Sequence, residues 1–428
     1  MPEFTATVYQ NEFLPDAGTD VHAIVSVTCT GAGTVTPMSS ASGGAGEIII
    51  VDVSGSMDVQ GVRAAAYAAS AALDQIVDGV WFAIIAGNHE AALCYPDGTS
   101  AAMVRMSPQT RLEAKRSLQR LAPGGGTAMG RWLLAAGQLF GSVPTLSKKH
   151  AILLTDGANQ HETPQELSWA IEQVRGRFQA DCRGLGAAWQ VEEVRRIAQA
   201  LMGSVDLIRT WDGLPEDFAA LMEQSMGRGV TDAQLRVWAP QGAEVLFVKQ
   251  VSPTLEDLSS RRTEVNALTG GYDTGAWGDE TRDFHVAVRL APKAVGQEQL
   301  ASRVQLALGE EVVAQGLVKA RWSGDSLLTA QISPEVAHYT GQTELASAIQ
   351  DGLRAKALGD DATATSKLGR AVQLARETGD EAATSRLARV VEIEDAATGR
   401  VTLRRNVDKL DEMELDTAST KTTRVRQQ

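Results

Sequence analysis

The sequence predicts an α/β fold: a doubly wound, mostly parallel sheet inserted in a β-sandwich and followed by a small helical region. Three observations carry this. Between Glu47 and Met226, short apolar runs alternate with helical patterns, and strands joined through helices are crossovers that build a parallel sheet covered on both faces. From Gly227 the texture changes to short strand candidates separated by Gly, Pro and Asp, the spacing of a sandwich. The strand-like stretches near the N-terminus have no apolar partner close by in sequence, so they are expected to pair with that later β region.

Residues 1–44 hold the two opening strands, 3–9 and 22–29, in which apolar residues alternate with polar or small ones, and then a loop rich in Gly, Ser and Thr. Residues 45–228 form the α/β domain. Its strand IIIV ends in Asp52 and leads to a helix over about 61–77, then a strand at 80–87 with AALCY (91–95) as an antiparallel edge. Helices follow at 110–121 and 128–140, then strand HAILLTD (150–156), helix 164–178, strand 180–186, helix 190–202, strand 205–208 and helix 215–226. Residues 229–337 form the sandwich, with strands at 234–239, 243–250, 283–290, 301–308 and 312–322. The Gly- and Asp-rich stretch 262–284 between them reads as a connection. Residues 338–398 contain three amphipathic helices separated by GDD and GDE, where Gly ends one helix and Asp caps the next. Residues 399–428 mix strand-like pieces, VTLRR and EMELDT, with a polar end that adds strands or stays mobile.

Composition excludes several functions. A net charge of −13 over 428 residues argues against nucleic acid as the partner, because phosphate binding needs basic patches. No stretch approaches the ~18 consecutive apolar residues of a membrane span, and MPEFTATVYQNEF has neither the basic start nor the apolar run of a secretory signal. Cys29, Cys94 and Cys182 are widely spaced and odd in number, so they read as reduced thiols and not as a zinc or disulfide framework. A cytoplasmic location is expected. The oligomeric state is left open.

In an open parallel sheet, functional loops gather beyond the carboxyl ends of the strands. Asp52 sits at such an end, with Ser54 and Ser56 on the loop after it. Thr127 lies in the Gly-rich loop LAPGGGTAMG, and Asp156 ends the strand HAILLTD. These five residues offer carboxylate and hydroxyl oxygens only. Hard cations such as Mg²⁺ prefer all-oxygen sites, whereas zinc and copper favour the softer ligands that this set lacks.

The pattern DVSGSM, GGGTAM and LLTDGAN resembles the metal-ion-dependent adhesion site of von Willebrand factor type A domains, over about residues 45–228. The resemblance implies a Rossmann-like domain that binds Mg²⁺, with Mn²⁺ or Ca²⁺ as alternatives. Ser54 and Ser56 would ligate directly, Asp52 and Asp156 mostly through waters, and Thr127 would approach or retreat as the domain switches state. It further implies a protein partner that presents an Asp or Glu to the metal, and a role that is not enzymatic. The whole chain also resembles bacterial cytosolic proteins of this family, especially actinobacterial ones, through RVWAPQGAEVLFVKQVSPTLEDL and GYDTGAWGDETRDFHV. Such relatives occur in tellurite-resistance and stress-signalling gene neighbourhoods. Some carry a Cys-rich zinc ribbon at the C-terminus, which this chain lacks.

Two other readings compete. A metal-dependent hydrolase of an anionic substrate would need a general base, and His161 and Glu162 lie close enough in sequence to serve. A structural subunit of a larger assembly would use the metal only to fix loop geometry. A Walker-type phosphate loop fails, because Gly130 is followed by Arg131 and Trp132 instead of the Lys and Ser or Thr such a loop needs.

Overall fold

The computed structural model describes residues 2–33, 44–97, 102–231 and 233–424. The chain divides into two compact units: Ala32–Thr231, and a second made from Met1–Gly31 together with Asp232–Gln428.

The Ala32–Thr231 unit is built on a sheet of seven strands among the described residues. Its order runs Val205–Ile208, Gln179–Leu185, Leu146–Thr155, Gly44–Asp52, Trp81–Gly87, Ala91–Tyr95, with Val104–Arg105 also paired to Trp81–Gly87. The first five are parallel, and the two short strands paired with Trp81–Gly87 are antiparallel. Gly44–Asp52 is central, which explains its continuous apolar run: Ile48, Ile49, Ile50 and Val51 are all buried, on both faces of the sheet. On one face the Asp58–Gln75 helix packs beside the Leu214–Met226 helix, with Ala65, Ala68, Ala69 and Ala72 fully buried between Val51, Phe82 and Phe218. On the helical side Met129–Gly141 buries Trp132, Leu133 and Phe140 and packs against Pro164–Val174. The start of Pro164–Val174 is set by a capping box, in which Thr163 accepts from the Glu166 amide and the Glu166 carboxylate accepts from that of Thr163.

Charge is buried at the other end of the central strand, five residues before Asp52. The Glu47 carboxylate accepts from Ser225 Oγ at 2.8 Å, lies 3.3 Å from Lys148 Nζ and is 2.7 Å from His150 Nδ1. His150 Nε2 is 3.0 Å from Asp181 on the next strand. Lys148 Nζ also donates to the Ser225 carbonyl, near the end of the Leu214–Met226 helix.

In the second unit, Glu3–Gln10 pairs with Asp20–Thr30, which pairs in turn with Glu280–Arg289; Glu244–Ser252 and Glu256–Asp257 complete an antiparallel sheet. A second sheet runs Thr263–Asn266, Thr269–Asp273, Ala233–Trp238, Glu298–Leu308, Glu311–Trp322, Phe13–Leu14. The stretch read as a connection therefore supplies two strands, at 263–266 and 269–273. Gly270 and Gly271 hide them from sequence reading by leaving no side chain to alternate. The sheets meet where Gly316 faces Val8 and Val25, so closely that a Cβ there would lie 2.6 Å from Val8. The opposite face of the first sheet is covered by the Pro334–Ala357 helix, whose Tyr339 packs on Ile24 and Val251.

That helix begins a small bundle with Asp361–Glu377 and Glu381–Val390, gathered around Leu345, Leu368, Val372 and Leu387. Gly359 and Gly379 take positive φ of 78° and 69°, and the carboxylates of Asp360 and Asp380 cap the next helices at 3.0 and 2.8 Å. VTLRR contributes to the strand Arg400–Leu403, paired with Val391–Asp395. EMELDT is not a strand: it lies in the helix Lys409–Ala418. Asp408 caps that helix, Asp411 and Glu412 sit in its first turn, and Glu412 and Glu414 pair with Lys356, Arg386 and Arg389. An acid-rich first turn favours a helix over the period-two reading. The last described residues are strapped down, with the Arg424 Nε 3.0 Å from the buried Asp283 carboxylate. Among the described residues, no helix is long and apolar enough to cross a membrane.

Candidate metal centre

The central strand ends at Asp52 because the backbone turns there: Ser54 N donates back to Asp52 Oδ1 at 2.8 Å. This Asx-type turn folds the DVSGS segment over the strand end. The Asp52 carboxylate is fully buried, and its second oxygen accepts from Thr155 Oγ1 at 2.7 Å. Ser54 and Ser56 project from the turn with their hydroxyls 3.0 Å apart, and Ser56 Oγ donates to Asp156 Oδ1 at 2.7 Å. Asp52, Ser54, Ser56 and Asp156 thus form one contiguous oxygen cluster across two adjacent strands.

Thr127 comes from the third segment. The Gly-rich loop is pinned to the turn by Gly55 N donating to the Gly125 carbonyl at 2.9 Å and Gly124 N to the Val53 carbonyl at 2.8 Å. A Cβ on Gly157 would lie 3.2 Å from both Ser56 Oγ and Thr127 Oγ1, which locates the Thr127 hydroxyl beside the cluster. All five residues named from the sequence meet at this point. Gly157→Ala would push a methyl group against two of those oxygens, and it is expected to lower divalent-metal affinity at least severalfold while leaving the melting temperature of metal-free protein within about 2 °C. Isothermal titration and thermal melting in chelator check the two halves.

The electrostatics fit a cation. Burial pushes the Asp156 carboxyl up to about 6, with the Asp52 and Asp58 charges adding to the rise against the Ser56 hydrogen bond. Burial likewise raises Asp52 above the ordinary carboxylate range. Among the described residues neither carboxylate pairs with a basic side chain, so two partly desolvated acids face hydroxyl oxygens with no positive charge to balance them. A divalent ion supplies that balance, and an all-oxygen donor set suits a hard one.

Several residues around the site carry no motif signal. Thr155 orients Asp52, and a β-branched residue inside HAILLTD reads as ordinary strand. Asn88 donates to the Gly124 carbonyl at 3.0 Å, and its own carbonyl accepts from the indole of Trp132 at 2.7 Å. His89 and His161 lie against Gly125 and Gly126, with ring centroids 6.2 Å apart, where a Cβ on either glycine would strike an imidazole. Only glycine admits both rings. Glu162 does not face the cluster as a free base: it accepts from the Gly130 amide at 2.6 Å, at the start of the Met129–Gly141 helix.

Comparison with known proteins bears on the family and the fold. A solved structure described as von Willebrand factor type A from Catenulispora acidiphila is 46% identical, covers 99% of this chain and 98% of its own, and superposes with a TM-score of 0.92. The chain belongs to the von Willebrand factor type A family. The family model of the von Willebrand factor type A domain matches residues 47–206, and that of the von Willebrand factor type A C-terminal domain matches 373–419. The overall fold is similar to that of an ArnB paralogue from Sulfolobus acidocaldarius, 14% identical with a TM-score of 0.62 over 98% of each chain. An uncharacterized protein of Synechocystis is 27% identical over 217 residues, and the match spans about half of that relative, 49% of its length.

Proposed function

We propose that this chain is a non-enzymatic, metal-dependent interaction protein whose Mg²⁺ site captures an acidic residue of a partner protein. Von Willebrand A domains commonly mediate metal-dependent protein interactions. The observation that carries the reading is the pair of unbalanced carboxylates, Asp52 fully buried and Asp156 half-buried, drawn onto hydroxyl oxygens at the strand ends. Asp52, Ser54, Ser56, Thr127 and Asp156 would hold the ion. Bound there, it supplies a Lewis-acid position for one more anionic oxygen, because most of the protein's donors are neutral. Asp52 and Asp156 would act mostly through waters and the hydroxyls of Ser54, Ser56 and Thr127 are neutral, so the ion would keep a positive field at the rim that draws a carboxylate from outside. Mn²⁺ or Ca²⁺ would fit the same donors less specifically. The engagement of Glu162 with the helix terminus supports the interaction reading over a hydrolase. By whole-chain resemblance, we assign the protein to cytoplasmic stress or tellurite-resistance-type signalling in a bacterium.

The test is a pull-down from cell extract in Mg²⁺, in chelator, and with the Ser54→Ala plus Ser56→Ala variant. Capture of one protein that disappears in the second and third arms is expected. Equal capture in all three would sink the metal-dependent reading.

A further inference from the structure

We infer that a groove beside the metal site seats an apolar side chain of the same partner that presents the carboxylate; this rests on the reading above. The Asp58–Gln75 helix leaves the metal loop directly after Ser56 and Met57. Along it, Val59, Arg63 and Tyr67 recur every four residues and form one outward stripe. Val59 and Tyr67 are 55% and 69% exposed, an unusual position for a Val and a Tyr spaced to share a helix face. Val62 and Ala66 line the groove beneath them, and Leu118 and Leu121 line its far wall, enclosing about 470 Å³. That volume is within the range of clefts that bury a small ligand, and ample for one large apolar side chain.

Continuity with the metal site identifies the occupant. The far wall runs through Ala122 and Pro123 into Gly124 and Gly125, the residues hydrogen-bonded to the metal loop at Val53 and Gly55. A chain segment anchored at the ion by its carboxylate can therefore leave along the groove. From Val59 to Tyr67 the helix advances about 12 Å at 1.5 Å per residue, and an extended segment covers that in three or four residues at about 3.3 Å each. Arg63, on the groove wall, adds a positive charge that favours an acidic segment over a neutral one. The partner sequence that fits is an Asp or Glu with a large apolar residue three or four positions away.

The full-length protein, immobilised in Mg²⁺, would be panned against a random-peptide display library and eluted with chelator. Eluted peptides are expected to share an acid with Leu, Ile, Phe or Tyr three or four residues from it. Single clones should bind Val59→Ser and Tyr67→Ser about tenfold more weakly than the parent, while Mg²⁺ binding by these variants is unchanged. Eluted peptides that share an acid alone, or that bind both variants as well as the parent, overturn the groove and leave the metal reading standing. A protein that binds Mg²⁺ yet yields no chelator-eluted peptide removes carboxylate capture, and the groove with it.

Discussion

Mg²⁺ added to chelator-treated protein raises the melting temperature of the α/β unit by roughly 5–10 °C, and Asp52→Asn abolishes the increase. The size follows from mass action: ligand at about 100 times its Kd stabilises the folded state by ~2.7 kcal/mol, and a domain of this size gains about 2–4 °C per kcal/mol. Asparagine is isosteric with Asp52 and still accepts from Ser54 N while pairing with Thr155, so the variant keeps its fold and loses the charge that holds the ion. The shift also depends on pH. Asp156 titrates at about 6 in the folded chain, above its ordinary 3.8, so protons compete with the cation and the increase shrinks as pH falls through that value. In chelator the sign reverses. A carboxylate whose folded pKa is raised disfavours folding once ionised, and that penalty is fully present above pH 6 and relieved as pH falls toward 3.8. Asp156→Asn in chelator at pH 7.5 is therefore at least as stable as the parent. A parent protein whose melting is indifferent to Mg²⁺ across this range would rule out a cation at the site.

Glu47→Ala lowers the stability of the same unit by about 3–5 kcal/mol, the cost of leaving a buried charge without its counterion. Burial opposes the charge on Glu47, yet His150 and Lys148 outweigh it and hold this carboxyl below its ordinary value of 4.5. Burial also opposes the His150 imidazolium, and Glu47 and Asp181 together hold it above 6.5. Of the two counter-charges on Glu47, His150 is the larger, and burial holds the Lys148 ammonium below its ordinary value. The two signs bracket a window. The Glu47 contribution is present above 4.5 and lost as pH falls, while the His150 contribution is complete below 6.5 and lost as pH rises through its raised value. Urea unfolding from pH 4 to 9 should give a maximum inside that window in the parent and a flatter profile in Glu47→Ala. Unchanged stability in the variant would mean that the cluster contributes nothing net.

These two sites differ in how far the sequence discloses them. The metal cluster is legible because each of its three pieces is short, contiguous and placed at the end of an apolar run, so composition and position agree. The charge cluster is not. Glu47, His150 and Asp181 stand at or near the starts of the apolar runs of three strands, where an isolated polar residue reads as a strand boundary, and only the pairing of Glu47 with His150 in register reveals that they meet. The α/β fold class was readable from strand–helix alternation, and the helix ends in the bundle from Gly-Asp pairs. Hairpin 263–273 and helix 409–418 escaped for local reasons: glycines erased one alternation, and in EMELDT a helix happens to bury Met413, Leu415 and Thr417 at every second position.

The pairing of Asp20–Thr30 with Glu280–Arg289 has a consequence for synthesis. His22 and His285, neighbours across these strands, are 263 residues apart. At 5–20 residues per second, a ribosome leaves the first strand waiting roughly 13–50 s for its partner. The whole intervening unit emerges within that delay and contains every strand of its own sheet, so it matures first, and the nascent chain carries an apolar ribbon, AIVSV, that must be shielded until the far strand arrives.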